Sequence, residues 1–400
     1  MVAEEKKICI LNPYLPTLGG GEKEMGMFCQ FMEEYYDNAQ IDILVHNYNE
    51  VDIHSPDYPT VDDLNRKFDL HLSRTKIVKV DLEDNNSLRA RLRNSLKITK
   101  ITKNYNLFCN NMFLSHHIGR AAFNIYCCMF PPRKYAEKTR NPIKKILFNI
   151  WDTFFYRSYQ VFICNSQFTY HWLTRYWKES DKYQLRYPPV FFEKEIEGRY
   201  REDEKRNIIL SVGRFFVAAH SKKQLEMLQF FLNHPDVFSS YEYHLVGSVS
   251  NDPQDLAYLE KIREMAASVN NVFIHENCSH DELIDLYGKT KVFWHATGYQ
   301  VDEEQEPEKM EHFGITTVEA MSFGAVPVVI NKGGQKETVV QGKTGFLWQD
   351  EAECVAYTGR LIQDDDLRKA MAAASHERAR LFSTDEFYRR NRSIFDAYKL

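Results

Sequence analysis

The sequence predicts an α/β protein built from two doubly wound, Rossmann-like domains with parallel sheets. Two successive sets of short apolar runs alternate with longer amphipathic segments along the chain. Most of these runs are continuously apolar rather than alternating, which is typical of strands buried on both faces. The length supports two domains as well, because 400 residues exceed one ordinary α/β domain.

Six apolar runs predict the strands of the first domain, and five predict those of the second. In the first half they lie at 8–12, 41–46, 76–80, 106–109, 124–130 and 160–164. In the second half they lie at 207–212, 243–247, 271–275, 291–296 and 326–331. Pro188 and Pro189 suit the interior of neither a strand nor a helix, so they mark the boundary. We assign 1–188 to an N-terminal domain, 189–383 to a C-terminal domain and 384–400 to a terminal amphipathic helix.

Composition narrows the class of protein. A net charge of −5 argues against bulk nucleic-acid binding. The eight cysteines are scattered without a C-x-x-C pair, which favours buried, reduced thiols over a zinc site or a disulfide framework. The N-terminus does not have the pattern of a signal peptide, and no stretch approaches the roughly 18 apolar residues of a membrane span. We therefore expect a cytoplasmic protein whose membrane contact, if any, is peripheral.

The most informative motif is a pair of glutamates, Glu311 and Glu319, around the start of a predicted helix. Between them, Gly314 allows a tight backbone approach, and three backbone amides follow it, those of Ile315, Thr316 and Thr317. A helix N-terminus of this kind binds phosphate without a metal. One alternative makes Glu319 the partner of Thr316 in a capping box. Another makes Glu311 one more acid of the solvated run 302–308.

Two cations follow the strand predicted at 207–212. Gly213 turns the chain, Arg214 emerges at the carboxyl edge of the sheet, and Lys222 comes shortly before a helix. Ligands of open α/β sheets bind at that edge, where an arginine and a lysine can clamp a diphosphate. By spacing we prefer Lys222 to Lys223. The alternative is a surface arginine with a solvated lysine pair.

The first domain offers weaker signals. Gly19, Gly20 and Gly21 lie between the first strand and a helix predicted to begin near Glu22, where backbone can approach a ligand. The run is not G-x-G-x-x-G, so a nicotinamide cofactor is disfavoured, and an ordinary βα turn remains the alternative. The adjacent His116 and His117 cannot share a helix face, which argues against a metal role and leaves structural histidines as the alternative. We expect neither a metal nor a cofactor.

Taken together, these motifs resemble the retaining glycosyltransferases of glycosyltransferase family 4, which have the GT-B fold. The resemblance covers nearly the whole chain and continues through Gly324, Pro327 and the pair Gly333 and Gly334. The form Glu-His-Phe-Gly at 311–314 is similar to that of lipid-linked-oligosaccharide mannosyltransferases. The GT-B fold implies two domains facing each other across a cleft, with the terminal helix crossing back to the first domain.

The resemblance implies a role for each motif. Arg214 and Lys222 would hold the donor diphosphate, Glu311 the donor sugar and Glu319 the ribose. The glycine run at 19–21 would close over the phosphates and the acceptor. Related enzymes often carry a histidine where this chain has Met129, so either His116 or His117 substitutes as the acceptor-side candidate, or no such histidine is needed. The implied reaction moves a sugar from a nucleotide sugar, GDP-mannose or a UDP-sugar, to a glycan or lipid-linked acceptor.

Two basic, apolar stretches of the first domain, 87–105 and 133–155, indicate a possible contact with anionic lipid. The alternative is a pair of solvated helix faces. Other functions of the same architecture also remain open at this point: a nucleotide-sugar epimerase, a sugar phosphorylase, or a sensor that binds a nucleotide sugar without turnover.

Overall fold

The computed structural model describes residues 5–47, 52–83, 87–191, 196, 198–217 and 220–400. It divides into two compact units. Unit 1 consists of Met1–Tyr187 with Tyr388–Leu400, and unit 2 of Pro188–Phe387. Each unit contains one parallel sheet, so the predicted pair of doubly wound α/β domains is confirmed.

Unit 1 has a seven-stranded sheet in the order β3-β2-β1-β4-β5-β6-β7. Its strands are β1 Lys6–Leu11, β2 Ala39–Val45, β3 Thr75–Lys79, β4 Leu107–Asn110, β5 Phe123–Cys128, β6 Val161–Cys164 and β7 Tyr183–Leu185. Its helices are α1 Gly20–Tyr35, α2 Val61–Phe68, α3 Leu88–Thr102, α4 Pro142–Ser158 and α5 Gln167–Trp177. The core includes Phe108, Tyr126, Tyr159 and Phe162, all buried.

Unit 2 has a six-stranded sheet in the order β10-β9-β8-β11-β12-β13. Its strands are β8 Arg206–Val212, β9 Glu242–Gly247, β10 Val272–Glu276, β11 Thr290–His295, β12 Val326–Ile330 and β13 Phe346–Trp348. Between β8 and β11 lie α6 Gln224–Asn233, α7 Pro235–Phe238, α8 Pro253–Ala266 and α9 His280–Lys289. After β11 come α10 Ile315–Ser322, α11 Gln335–Thr338, α12 Glu351–Gln363 and α13 Asp365–Ala379. The last helix, α14 Thr384–Ala397, runs from unit 2 into the residues of unit 1.

All eleven predicted strands are present, with ends that differ by at most two residues. The two strands missing from the prediction, β7 and β13, are three residues long and lie at sheet edges. The cysteines are free thiols, seven of them buried. None of the described helices combines the length and apolar character that crossing a bilayer requires.

In each unit, strand order reverses beside the first strand, which creates a switch point at the carboxyl edge of the sheet. In unit 2 the switch point lies between β8 and β11, which are neighbours in the sheet. These strands end at Val212 and His295. The loops that follow them carry most of the side chains predicted to bind the donor.

Candidate active site

Lys222 and Glu311 meet at the switch point of unit 2. The lysine Nζ lies 2.5 Å from Glu311 Oε2, and both side chains are about one-fifth exposed. Gly213 makes this approach possible, because a Cβ at that position would lie 2.5 Å from Lys222 Cγ. Lys223, which the sequence left as an alternative, has positive φ and its Nζ pairs with Glu226 instead. The geometry therefore favours Lys222 as the lysine of this site.

His295, the last residue of β11, holds Glu311 from the other side. Its Nε2 lies 3.1 Å from Glu311 Oε2, and its Nδ1 lies 3.2 Å from the side-chain nitrogen of Gln335. Since Gln335 can only donate through that nitrogen, this network assigns the proton to Nε2, which donates to Glu311. His295 is a residue of the site that the sequence reasoning missed. Its position at the end of a predicted strand, on the ligand-binding edge, was the available signal.

The charge states follow from burial and contact. Burial alone would raise the pKa of Glu311, but the Lys222 ammonium and the His295 hydrogen bond lower it well below its usual range. Burial lowers the pKa of His295, against the raising effect of Glu311. Burial also lowers the pKa of His220 and that of His312, the latter to about 3. Near neutral pH the site thus holds Glu311 as a carboxylate and His295 as a neutral imidazole.

Helix α10 begins directly after the loop that carries Glu311. Its N-cap is Gly314, with φ of 105°, and no side chain caps the helix. A Cβ on Gly314 would lie 2.9 Å from the side-chain nitrogen of Gln335. Both the positive φ and this close approach therefore require glycine. Three residues form the first turn, Ile315, Thr316 and Thr317. Their amides are the anion-binding feature predicted from the sequence.

Glu319 lies one turn inside α10. The capping-box alternative with Thr316 is wrong, because the helix begins at Ile315 and its N-cap is Gly314. One carboxylate oxygen of Glu319 instead accepts a hydrogen bond of 2.9 Å from the hydroxyl of the buried Tyr287. This contact fixes the side chain beside α9.

Arg214 follows β8 at the rim of the site. Its side chain is exposed, and its guanidinium lies 4.7 Å from the ring centre of Phe216. Its charge is close enough to contribute to the lowered pKa of His220, behind burial and Lys222. The structure therefore brings Lys222 into contact with Glu311 and leaves Arg214 nearby at the surface.

The glycine run of unit 1 is more helical than predicted. Helix α1 begins at Gly20, two residues before the expected start, and Gly19 is its N-cap. The buried carboxylate of Glu22 accepts the Gly19 amide at 2.9 Å and the Thr17 hydroxyl at 2.5 Å. Gly21 has open space around it, since a Cβ at that position would have no atom within 4 Å. The Gly19 amide is thus already engaged by Glu22.

His116 and His117 follow β4 in unit 1 and differ in surroundings. The ring of His116 stacks on Tyr135 at 3.9 Å, and its Nε2 lies 3.1 Å from the Arg133 carbonyl oxygen. Burial lowers its pKa to about 3. The Nδ1 of His117 is buried without a hydrogen-bond partner, as is the Nε2 of His46. His117 is therefore the better acceptor-side candidate, since His116 is held by packing.

Within the described parts of the chain, no group of three or more His, Cys, Asp or Glu residues is arranged to hold a metal ion. The features available for an anionic ligand at the switch point are cationic and amide groups. This chemistry suits a diphosphate.

Comparison with known proteins shows what the second half of the chain is similar to. A family model described as Glycosyl transferases group 1 matches residues 192–378. The resemblance drawn from the glutamate and cation motifs is thereby confirmed.

Curated relatives of the chain include two mannosyltransferases of Dictyostelium discoideum. The chain is 27% identical over 271 residues to a GDP-Man:Man(3)GlcNAc(2)-PP-Dol alpha-1,2-mannosyltransferase, covering 63% of this chain and 50% of the relative. It is 25% identical over 288 residues to an Alpha-1,3/1,6-mannosyltransferase ALG2, covering 64% of this chain and 65% of the relative. The chain thus spans about half to two thirds of the length of these relatives.

Solved structures extend the likeness to the whole chain. The structure of Anabaena Alr3699/HepE in complex with UDP and glucose has a TM-score of 0.68 at 15% identity and covers 98% of this chain and 100% of its own. A sucrose-phosphate synthase from Thermosynechococcus elongatus has a TM-score of 0.69 at 14% identity, covering 98% and 99%. At such identities the comparison shows the fold, and it confirms the predicted GT-B class.

Proposed function

We propose that this chain is a glycosyltransferase that moves a sugar from a nucleoside-diphosphate sugar to a glycan or a lipid-linked acceptor. The observation that carries the proposal is the contact of Glu311 with both Lys222 and His295 beside the N-terminus of α10. A cation and free amides bind a diphosphate, and a carboxylate accepts hydrogen bonds from sugar hydroxyls. One small site thus offers groups for both halves of the donor.

The reaction breaks the bond between the anomeric carbon and the phosphate oxygen. The acceptor hydroxyl oxygen forms the new bond to that carbon and releases its proton, and the nucleoside diphosphate departs. Negative charge grows on the leaving phosphate, where Lys222, Arg214 and the α10 amides stabilise it. In this proposal these groups replace a metal ion, and no cofactor takes part.

The carboxylates have separate tasks in the proposed mechanism. Glu311 remains ionised and accepts hydrogen bonds from hydroxyls of the donor sugar, while His295 fixes its orientation. Glu319, held by Tyr287, accepts from the ribose hydroxyls. Retention of configuration at the anomeric carbon belongs to the proposal through the family resemblance.

The choice of donor rests on the relatives. Two curated relatives are named as mannosyltransferases, one of them with GDP-Man in its name, and HepE was solved with UDP and glucose. We therefore propose GDP-mannose or a UDP-sugar as the donor. In unit 1, His117 is the proposed acceptor-side group, and the glycine run at 19–21 is proposed to bind the donor. We place the protein in the cytoplasm, at the cytoplasmic face of a membrane, with peripheral contact through 87–105 and 133–155.

A calorimetric panel of GDP-, UDP-, ADP- and dTDP-sugars identifies the donor. Release of nucleoside diphosphate is then measured with and without glycan and lipid-linked acceptors. We expect one donor class to bind, and we expect release of nucleoside diphosphate from that donor to require an acceptor. Glu311→Gln should lower turnover by about a hundredfold or more, because a neutral amide loses the charged contact to the donor sugar. Glu304→Gln, which neutralises an exposed acid of the preceding loop, should leave turnover unchanged.

Other outcomes would replace the proposal. Conversion of the donor without an acceptor indicates an epimerase, and a requirement for inorganic phosphate indicates a phosphorylase. Tight donor binding with no turnover on any acceptor indicates a sensor. In that case Glu311→Gln changes only the affinity for the donor.

A further inference from the structure

Helix α4 carries apolar side chains on two opposite faces, and only one face is packed. Its inner face is held by the buried Phe155 and by Asp152, whose carboxylate accepts the amides of Tyr135 and Ala136 at 3.1 and 3.0 Å. With about 100° between successive residues, a second set of side chains lies on the far side of the helix. We call this set the outer stripe: Ile143, Ile146, Leu147, Ile150 and Phe154.

The outer stripe is exposed along its whole length. Each of its five side chains is between 50% and 71% exposed. Their spacing places them in one strip along about three turns of helix, roughly 16 Å long. Together they present on the order of several hundred Å², the size at which an exposed apolar patch marks an interaction surface.

The local sequence explains why this face forms a stable helix without packing. Asn141 caps the N-terminus through its side chain, which accepts the amides of Ile143 and Lys144 at 3.0 Å. Pro142 occupies the first helical position, where its missing amide costs nothing. Asp152 and Phe155 then anchor the C-terminal half. The apolar stripe is therefore displayed by a helix fixed at both ends.

Exposed cations lie next to the N-terminal end of the outer stripe. Lys144 and Lys145 are exposed between its first two members. Segments 88–102 and 133–158 contain twelve lysines and arginines and two acids, in a chain whose net charge is −5. Arg91 of α3 lies within electrostatic range of Tyr135, whose ring is 5.7 Å from that of Phe148 on α4. The two segments are thus strongly basic, against the overall sign of the protein, and Arg91 connects them electrostatically.

Helix α3 is the weaker of the two basic elements. Its Leu92 and Leu96 are exposed, and the side chain of Leu88 lies outside the described residues. Arg93 pairs with Glu83 at 2.5 Å, and Lys97 donates to the carbonyl oxygen of Asp81. Two of its cations are therefore engaged by neighbouring acidic residues, whereas Lys144 and Lys145 extend from a fully exposed turn.

We propose that the outer stripe of α4 inserts into the surface of an anionic lipid bilayer, with Lys144 and Lys145 at the level of the headgroups. An aliphatic stripe offers no hydrogen bonds for directional recognition, and flanking cations match the negative headgroups of such a bilayer. A second copy of this chain would bring the same cations together, which like charge opposes. The inference rests on the peripheral location proposed above and is independent of the donor chemistry.

Flotation of the purified full chain with lipid vesicles tests the proposal. Vesicles of phosphatidylcholine alone are compared with vesicles that also contain phosphatidylserine, at low salt and without donor. We expect binding to the anionic vesicles only. Ile146→Gln with Ile150→Gln should lower the partition coefficient by about tenfold or more, and Lys144→Glu with Lys145→Glu should abolish the preference for anionic lipid. Leu256→Gln, an exposed leucine of α8 in unit 2, is the matched control and should bind as the parent does.

Circular dichroism and the melting temperature establish that the α4 variants remain folded. The proposal is overturned if the parent stays unbound, or if the double glutamine variant floats as the parent does. It is also overturned if sedimentation equilibrium shows a dimer that the double variant dissociates. Glu311→Gln should still float normally, so loss of transfer activity and loss of lipid binding are separate results.

Discussion

Glu311 combines burial with a full negative charge, and its neighbours explain how. A carboxylate taken out of water ordinarily gains a proton, but the Lys222 ammonium at 2.5 Å and the His295 hydrogen bond at 3.1 Å favour the ionised form. A neutral His295 can hold the carboxylate in place without cancelling more of its charge. The side chain that is proposed to contact the donor sugar is therefore oriented and charged before any ligand arrives.

Arg214→Ala tests the second cation of the proposed diphosphate clamp. Removing it should cost about 2–4 kcal/mol of transition-state stabilisation, or a loss of roughly 30- to 1000-fold in kcat/KM. Steady-state kinetics with the identified donor provides the measurement. Arg360→Ala is the control, because that exposed arginine of the same unit also lies over an aromatic ring, 5.7 Å from the centre of Phe346. A loss smaller than tenfold for Arg214→Ala would remove it from the clamp.

His295→Gln tests the link between this site and acid sensitivity. Burial lowers the folded-state pKa of His295 below its ordinary value of 6.5, so the unfolded chain binds more protons as the pH falls through 6.5. That histidine therefore makes the folded state less stable on acidification, by at most about 1.4 kcal/mol per pH unit. Glutamine does not titrate but can still donate to Glu311, so the variant should show a shallower loss of stability between pH 6.5 and about 5.

Urea unfolding at several pH values measures this slope. His220 and His312 also have lowered pKa values, so part of the acid sensitivity should remain in the variant. Glu311 contributes only at lower pH, since its folded-state pKa lies well below its ordinary value of 4.5. An unchanged slope for His295→Gln would mean that the folded-state pKa of His295 does not lie below its ordinary value.

At the scale of elements, Lys205 ties the end of α9 to the end of α10. Its Nζ donates to the carbonyl oxygens of Tyr287, Thr290 and Phe323 at 3.3, 2.7 and 2.7 Å. These carbonyls lie at helix C-termini, where a cation is favoured, but burial lowers the pKa of Lys205 to about 7, so the hydrogen bonds rather than a full charge make the tie. One lysine thereby fixes α10, whose N-terminus is part of the candidate site.

Lys205→Met should destabilise unit 2 by about 1–3 kcal/mol in total, because three carbonyl oxygens lose their hydrogen-bond donor. Thermal and urea unfolding of the purified variant measure the change. Lys291→Met is the control, because the Lys291 side chain makes one exposed hydrogen bond, to Asn207, and its loss should cost less than about 0.5 kcal/mol. Equal stabilities for the two variants would show that the three carbonyls do not depend on Lys205.

The strands were predictable and the side-chain network only in part. Continuous apolar runs identify buried parallel strands, and all eleven such runs became strands, whereas β7 and β13 are too short to differ from loops. The motifs pointed to Lys222 and Glu311, but sequence cannot show that Gly213 lets the lysine cross it to reach a residue 89 positions away. A single histidine ending a strand, His295, gives no periodic signal. Likewise, apolar residues on both faces of α4 do not reveal which face stays exposed.

At the scale of the whole molecule, the chain leaves unit 1 at Tyr187 and its last thirteen residues return to it. In that returning segment Phe395 is fully buried, with its ring 5.1 Å from that of Phe31 and 6.0 Å from that of Phe28. Arg390 adds a hydrogen bond of 2.7 Å to the carbonyl oxygen of Leu185. Unit 1 therefore needs both ends of the chain, whereas unit 2 is one continuous segment.

This difference predicts opposite behaviour for two fragments. Residues 188–387 should fold alone and bind the same nucleotide sugar as the full chain, because the contacts of Lys222, Glu311 and His295 all lie within them. Residues 1–187 should be unstable and prone to aggregate. Loss of a buried phenylalanine side chain alone costs about 3–5 kcal/mol, a large part of the roughly 5–15 kcal/mol that typically stabilises a domain.

The matched control joins residues 388–400 to the end of the first fragment through a flexible linker, which should restore a cooperative melting transition. Calorimetry and analytical ultracentrifugation of the three proteins measure folding and association. A monomeric 1–187 fragment that melts at the temperature of the linked form would show that the returning segment is dispensable for unit 1. In that case the burial of Phe395 would not stabilise unit 1, because removing a stabilising contact must lower the stability of the unit.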